Sequence, residues 1–130
     1  MKFYFGIPAA LRKEVNKEIV LSKVCISKKD WPKAWNHLER AHILGQSSPY
    51  QHSRVHWRML IFAFRIKNGK EIIGQLPRLF IGGIKSFVGK IPVGNTGGAN
   101  VHPLQQMEIA EDLKLILKTH LGNDSLYQKV

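Results

Sequence analysis

Through most of the chain apolar residues recur every three or four positions, the period of helices that bury one face. Leu11, Val15 and Ile19 lie four apart behind Gly6-Ile7-Pro8, where proline suits a first helical turn, and predict an amphipathic first helix. Asp30 is placed to cap a second helix, with Pro32 in its first turn and Trp31, Ala34, Leu38, Ala41 and Gly45 spaced three or four apart. Ser48-Pro49-Tyr50-Gln51 has the pattern of a capping box and opens a third helix that should reach about Lys67, with Asn68-Gly69 as its left-handed stop. A fourth helical segment, about Lys70 to Phe87, carries Pro77, which should kink or divide it, and Gly82-Gly83, which weakens it.

From Gly89 to Met107 the periodicity gives way to prolines, glycines and asparagines, among them Gly94, Asn95, Thr96, Gly97, Gly98 and Asn100, which predict a long irregular loop. A last helix follows from about Ile109 to Leu121, with Glu111 and Asp112 in its first turn and Gly122 at its end. The expected fold is all-α: a compact bundle of about five helices around a central antiparallel hairpin, forming one domain over residues 1–130 with residues 1–5 and 123–130 as frayed ends. Ala34, Leu38, Ala41 and Leu44 have the spacing of one tetratricopeptide helix, but no second copy appears 34 residues on.

Composition narrows the function. A single cysteine, Cys25, excludes a disulfide framework, a zinc ribbon and a cysteine-ligated cluster, and fits a reducing cytoplasm. No apolar run approaches the roughly 20 residues of a membrane span, and no signal peptide is read at the amino end. Twenty Lys and Arg against nine Asp and Glu give a net charge of +11, which favours anionic partners. The excess is +12 over residues 1–91, and residues 92–130 carry −1. Arg54, Arg58 and Arg65 fall within about 40° of one another on the third helix. They form either a solvated face or a phosphate-facing stripe, so a basic nucleic-acid-binding module is the alternative function, although no known nucleic-acid-binding motif accompanies the stripe.

The sharper chemistry lies in the histidines. His42 falls inside the apolar arc of the second helix, with His37 and Glu39 at its borders. His52 and His56, four apart, share the face of Met59 and Ala63. A connection of about three residues, Gln46 to Ser48, makes the two helices an antiparallel hairpin and places His42 opposite the interval between His52 and His56. Three converging imidazoles are the donor set of an open metal site, with Glu39 as an extra ligand or orienter and His37, Met59 and loop residue His102 as supporting candidates. Zinc, copper and nickel all remain open, as does a small ligand in place of a metal. The competing reading is a non-catalytic structural protein with a buried histidine network. No nucleophile elbow, P-loop or dinucleotide fingerprint is present, so an enzymatic role is not indicated. Trp31, Trp35 and Trp57 are expected in the core.

The run His37-Leu38-Glu39-Arg40-Ala41-His42-Ile43-Leu44-Gly45-Gln46, then His52-x-x-Val55-His56-Trp57, Gly74-Gln75 and Gly94-Asn95-Thr96-Gly97-Gly98-Ala99-Asn100-Val101, resembles the small bacterial family known as domain of unknown function 3703. The resemblance covers about Asp30 to Leu117. It departs at Gln105-Gln106-Met107-Glu108-Ile109-Ala110, where that family has a segment like Pro-Met-Pro-Ile-Pro, so the entry to the last helix should differ. Members of that family are often associated with heavy-metal resistance gene clusters, so the resemblance implies a link to metal handling and no particular catalytic activity.

Overall fold

Three helices follow one another through two turns of three residues each. The structure, a computed structural model, describes residues 7–76 and 108–121. Helix α1 is Ala9–Ser27, α2 Trp31–Gly45 and α3 Pro49–Arg65; residues 69–76 are helical and are labelled α4, and Glu111–Leu121 form α5. Among the described residues there is no strand, and the fold is all-α. The loop Gly94 to Asn100, His102, Gly122 and the expected helix beyond residue 76 lie outside the described residues.

The helix ends follow from local chemistry. The Pro8 carbonyl accepts from Arg12 N–H and starts α1. That helix closes with Lys29 at φ 57°, Lys29 N–H donating to Ile26 O and Asp30 N–H to Cys25 O. These two bonds satisfy carbonyls that a helix end otherwise leaves open. The next residue serves twice, because the Asp30 side chain also accepts from Lys33 N–H and caps α2. The same device recurs after α3: Lys67 takes φ 57°, Asn68 N–H donates to Ala63 O, and the Asn68 side chain accepts from Glu71 N–H. The left-handed stop therefore falls on Lys67 and not on Asn68-Gly69, since Asn68 is used as the cap of α4.

At the start of α3 the Ser48 side chain accepts from Gln51 N–H, as expected. The reciprocal arm of the capping box is not made: Ser48 N–H donates to Gly45 O, and Gln51 Oε1 accepts from Arg54. Gly45 ends α2 where α3 returns closely over it, which a larger residue would obstruct.

Leu11, Val15 and Ile19 of α1 meet Ala34, Leu38, Ala41 and Leu44 of α2, Val55, Met59 and Phe62 of α3, and Leu113 and Leu117 of α5 in one core. Each large aliphatic side chain withdrawn there contributes about 1.5–3 kcal/mol. Ile109 is buried just ahead of α5, which begins two residues later than its apolar pattern suggested. Trp31 and Trp35 pack on Phe62, with ring centroids 5.9 Å apart in both pairs. Trp57 is the exception to the expected tryptophan core and is exposed. It lies about 140° around α3 from the centre of the buried arc, on the outer face with Tyr50, Ile61 and Phe64.

Charged residues tie α5 to the pair α1–α2. Glu18, buried on α1, accepts from Arg40 Nε at 3.0 Å and contacts His37 Nδ1 at 2.6 Å, and Arg40 reaches on to Asp112 with both terminal nitrogens. Those bonds from Arg40 hold the Asp112 carboxyl below the usual carboxylate range.

Candidate metal centre

The antiparallel hairpin sets His42, in the last turn of α2, against His52 and His56 in the first two turns of α3. Their exposures are 2%, 7% and 2%, so all three imidazoles are withdrawn from water. Their Nε2 atoms form a nearly equilateral triangle: His42 to His56 3.1 Å, His42 to His52 2.9 Å, His52 to His56 3.0 Å. Every pair of rings has its centroids 4.7 Å apart and is strongly tilted.

Such a triangle has no fully hydrogen-bonded state built from neutral imidazoles. Each Nε2 carries either a proton or a lone pair. Three mutually adjacent atoms sorted into two kinds leave at least one pair alike, so at most two of the three contacts are hydrogen bonds.

One ring is fixed further. His56 Nδ1 lies 2.5 Å from Gln75 Oε1, and Gln75 Nε2 donates to Glu71 Oε2 at 3.1 Å. A carboxylate only accepts, so Glu71 holds the amide NH2 of Gln75 on its own side and turns Oε1 toward His56. An amide oxygen also only accepts, so the His56 proton sits on Nδ1. A neutral His56 then directs the Nε2 lone pair into the triangle.

Those separations suit a cation. At a metal–nitrogen length of about 2.0–2.1 Å, nitrogens at right angles about the ion stand about 2.9 Å apart and nitrogens at tetrahedral angles about 3.3 Å. The observed triangle lies between the two and closer to the former. Three ligands on one side of an ion leave its other positions open to water or to a further group.

Among the described residues the His, Cys, Asp and Glu ligand atoms that come together here are those of His42, His52 and His56, all within 4.8 Å of one another. Glu39 does not join them. Burial raises its carboxyl above the ordinary value, opposed by a hydrogen bond with the Trp35 side chain and reinforced by repulsion from Glu71. His37 is placed on Glu18, and Met59 is fully buried in the core. Of the arginine stripe, Arg54 donates to Asn16 and Gln51, while Arg58 and Arg65 line a cleft against α1.

Gln75 and Glu71 were not among the expected site residues. Gln75 is completely buried and holds the centre's best-defined ring. Its signal was the Gly74-Gln75 pair in the family resemblance, together with a Glu and a Gln four apart on a helical segment.

Fold and site together define a small all-helical protein with a three-histidine centre buried in a helical hairpin. The chain belongs to the family described as protein of unknown function, DUF3703, which matches residues 9–117. No curated protein and no solved structure matches it.

Proposed function

We propose that the protein binds a divalent transition-metal ion through Nε2 of His42, His52 and His56. The observation that carries this reading is the triangle of nitrogens at 2.9–3.1 Å, which protons alone leave incompletely bonded and which one cation satisfies at every corner. Neutral imidazoles favour zinc, copper and nickel over calcium or magnesium. The charge of the ion is offset from outside the triangle: Glu71 is two hydrogen bonds from His56, and Glu39 is close enough to Glu71 for mutual repulsion.

Metal analysis and calorimetric titration of tag-free protein with zinc, copper and nickel test the proposal against a His52→Ala/His56→Ala variant. Saturable binding of one ion per chain by the wild type, lost in the variant, is the expected result. Equal and weak uptake by both proteins would overturn the reading. Circular dichroism establishes that the variant folds, and His56→Gln, which keeps a polar side chain of similar size, provides the comparison if it does not.

A further inference from the structure

A second feature lies apart from the histidines. The C-terminal halves of α1 and α3 run side by side over α2 and leave a cleft of about 220 Å³ between them. Ser22, Lys23, Ile26 and Ser27 of α1 form one wall, Arg58, Ile61, Phe62 and Arg65 of α3 the other, and Leu38 of α2 lies between. We propose that this cleft binds a small organic anion with an apolar body, its carboxylate or phosphate held by Lys23, Arg58 and Arg65 and its hydrocarbon laid against Ile26 and Ile61. The inference is independent of the metal reading.

Charge supports it first. No ion pair among the described residues engages Lys23, Arg58 or Arg65, in contrast to Arg40, which is held by two carboxylates. Both α1 and α3 end beside the cleft, and a helix C-terminus carries about half a negative elementary charge. Two such ends bring about one negative charge against three full positive ones, so the cleft remains electropositive. The arginines are seven residues apart, two turns on the same face, so they reach an anion from two heights along α3.

The walls set the rest of the ligand. Ile61 is 45% exposed and Ile26 half-buried above a closed floor of Leu38 and Phe62, and the hydroxyls of Ser22 and Ser27 are turned to their own helix, donating to Ile19 O and Val24 O at 2.6 Å each. A bare, fully hydrated anion gains nothing from such a surface, whereas a short alkyl or aryl group does. The volume falls below the ~300 Å³ at which pockets for drug-sized molecules begin, which limits the ligand to one alkyl chain or one ring beyond its headgroup.

Titration of the metal-free protein with octanoate and with octyl phosphate tests the site and separates the two headgroups; octanol and inorganic phosphate supply each half of the ligand alone. Saturable binding of at least one of the two amphiphiles is expected, tighter than either half, with amide NMR shifts at Ser22, Ile26 and Ile61. Arg58→Gln/Arg65→Gln should weaken it about tenfold or more, the loss expected when hydrogen bonds to a charged group are removed. Lys13→Gln/Lys17→Gln removes the same charge from exposed positions outside the cleft and should leave the affinity unchanged. Absence of saturable binding, or equal weakening by the two double variants, would overturn the proposal.

Discussion

A β-carbon placed on Gly45 would stand 2.9 Å from Cβ of Gln51, closer than two such carbons approach in folded proteins. The last turn of α2, which carries His42, and the first turn of α3 are thus in backbone-level contact, and His52 follows Gln51 directly. Gly45→Ala should therefore open the hairpin. Overpacking of this kind costs about 1–3 kcal/mol, which exceeds the roughly 0.5–1 kcal/mol an alanine returns within a helix. A lower urea midpoint together with weaker metal binding is expected, and a variant as stable as the wild type would contradict the steric account.

Gln75 bonds to His56 and would act on the proposed metal only through that ring. Gln75→Leu keeps the volume and removes the acceptor for the Nδ1 proton, and should weaken metal binding about 10–100-fold while leaving one ion per chain. The exchange Glu71→Gln/Gln75→Glu keeps an acceptor on that proton and a donated amide between the two side chains, and should bind no more weakly than the wild type. Calorimetry on both variants is the measurement, and a leucine variant of wild-type affinity would remove Gln75 from the centre.

Asp112 ties α5 to Arg40, and its carboxyl is held low chiefly by the hydrogen bonds from that guanidinium. A carboxyl whose value is lower folded than unfolded stabilises fully above its unfolded value, and the gain is lost as pH falls through the lowered folded one. The wild type should therefore lose thermal stability on acidification more steeply than Asp112→Asn, and more so at low salt because the Asp112 end of the pair is solvent-exposed. Parallel acid limbs for the two proteins would show that the pair contributes nothing to the pH dependence.

Lys29 and Lys67 both occupy the left-handed region, where a β-carbon is crowded. Glycine at either position should raise stability by about 0.5–1 kcal/mol, read as an increased urea midpoint. Loss of stability at both would mean that the lysine side chains hold these turns in some other way.

Much of this architecture was legible in the residues. Asp30 and Ser48 mark helix starts because their side chains bond amides three residues on, a local event. The histidine triangle was legible for a related reason: His52 and His56 share a face by helical period, and a three-residue turn fixes how α2 meets α3. Gln75 was not, because its position against His56 depends on where α3 stops and at what angle α4 leaves, and the stop fell on Lys67 rather than beyond it. The contact of Arg40 with Asp112 spans 72 positions and depends on how α5 docks, which no local pattern encodes. Trp57 shows the limit of composition: its size suggested the core, while its angle around α3 put it outside.

The triangle also bears on the protein without metal. With His56 directing a lone pair inward, at least one pair of the three nitrogens stays alike however His42 and His52 place their protons, so the metal-free centre keeps a frustrated contact in every protonation pattern. A cation at the proposed site would turn three lone pairs inward and relieve it. Binding would then be read in the imidazole nitrogen resonances as the loss of every Nε2 proton, with the backbone already in place to receive the ion.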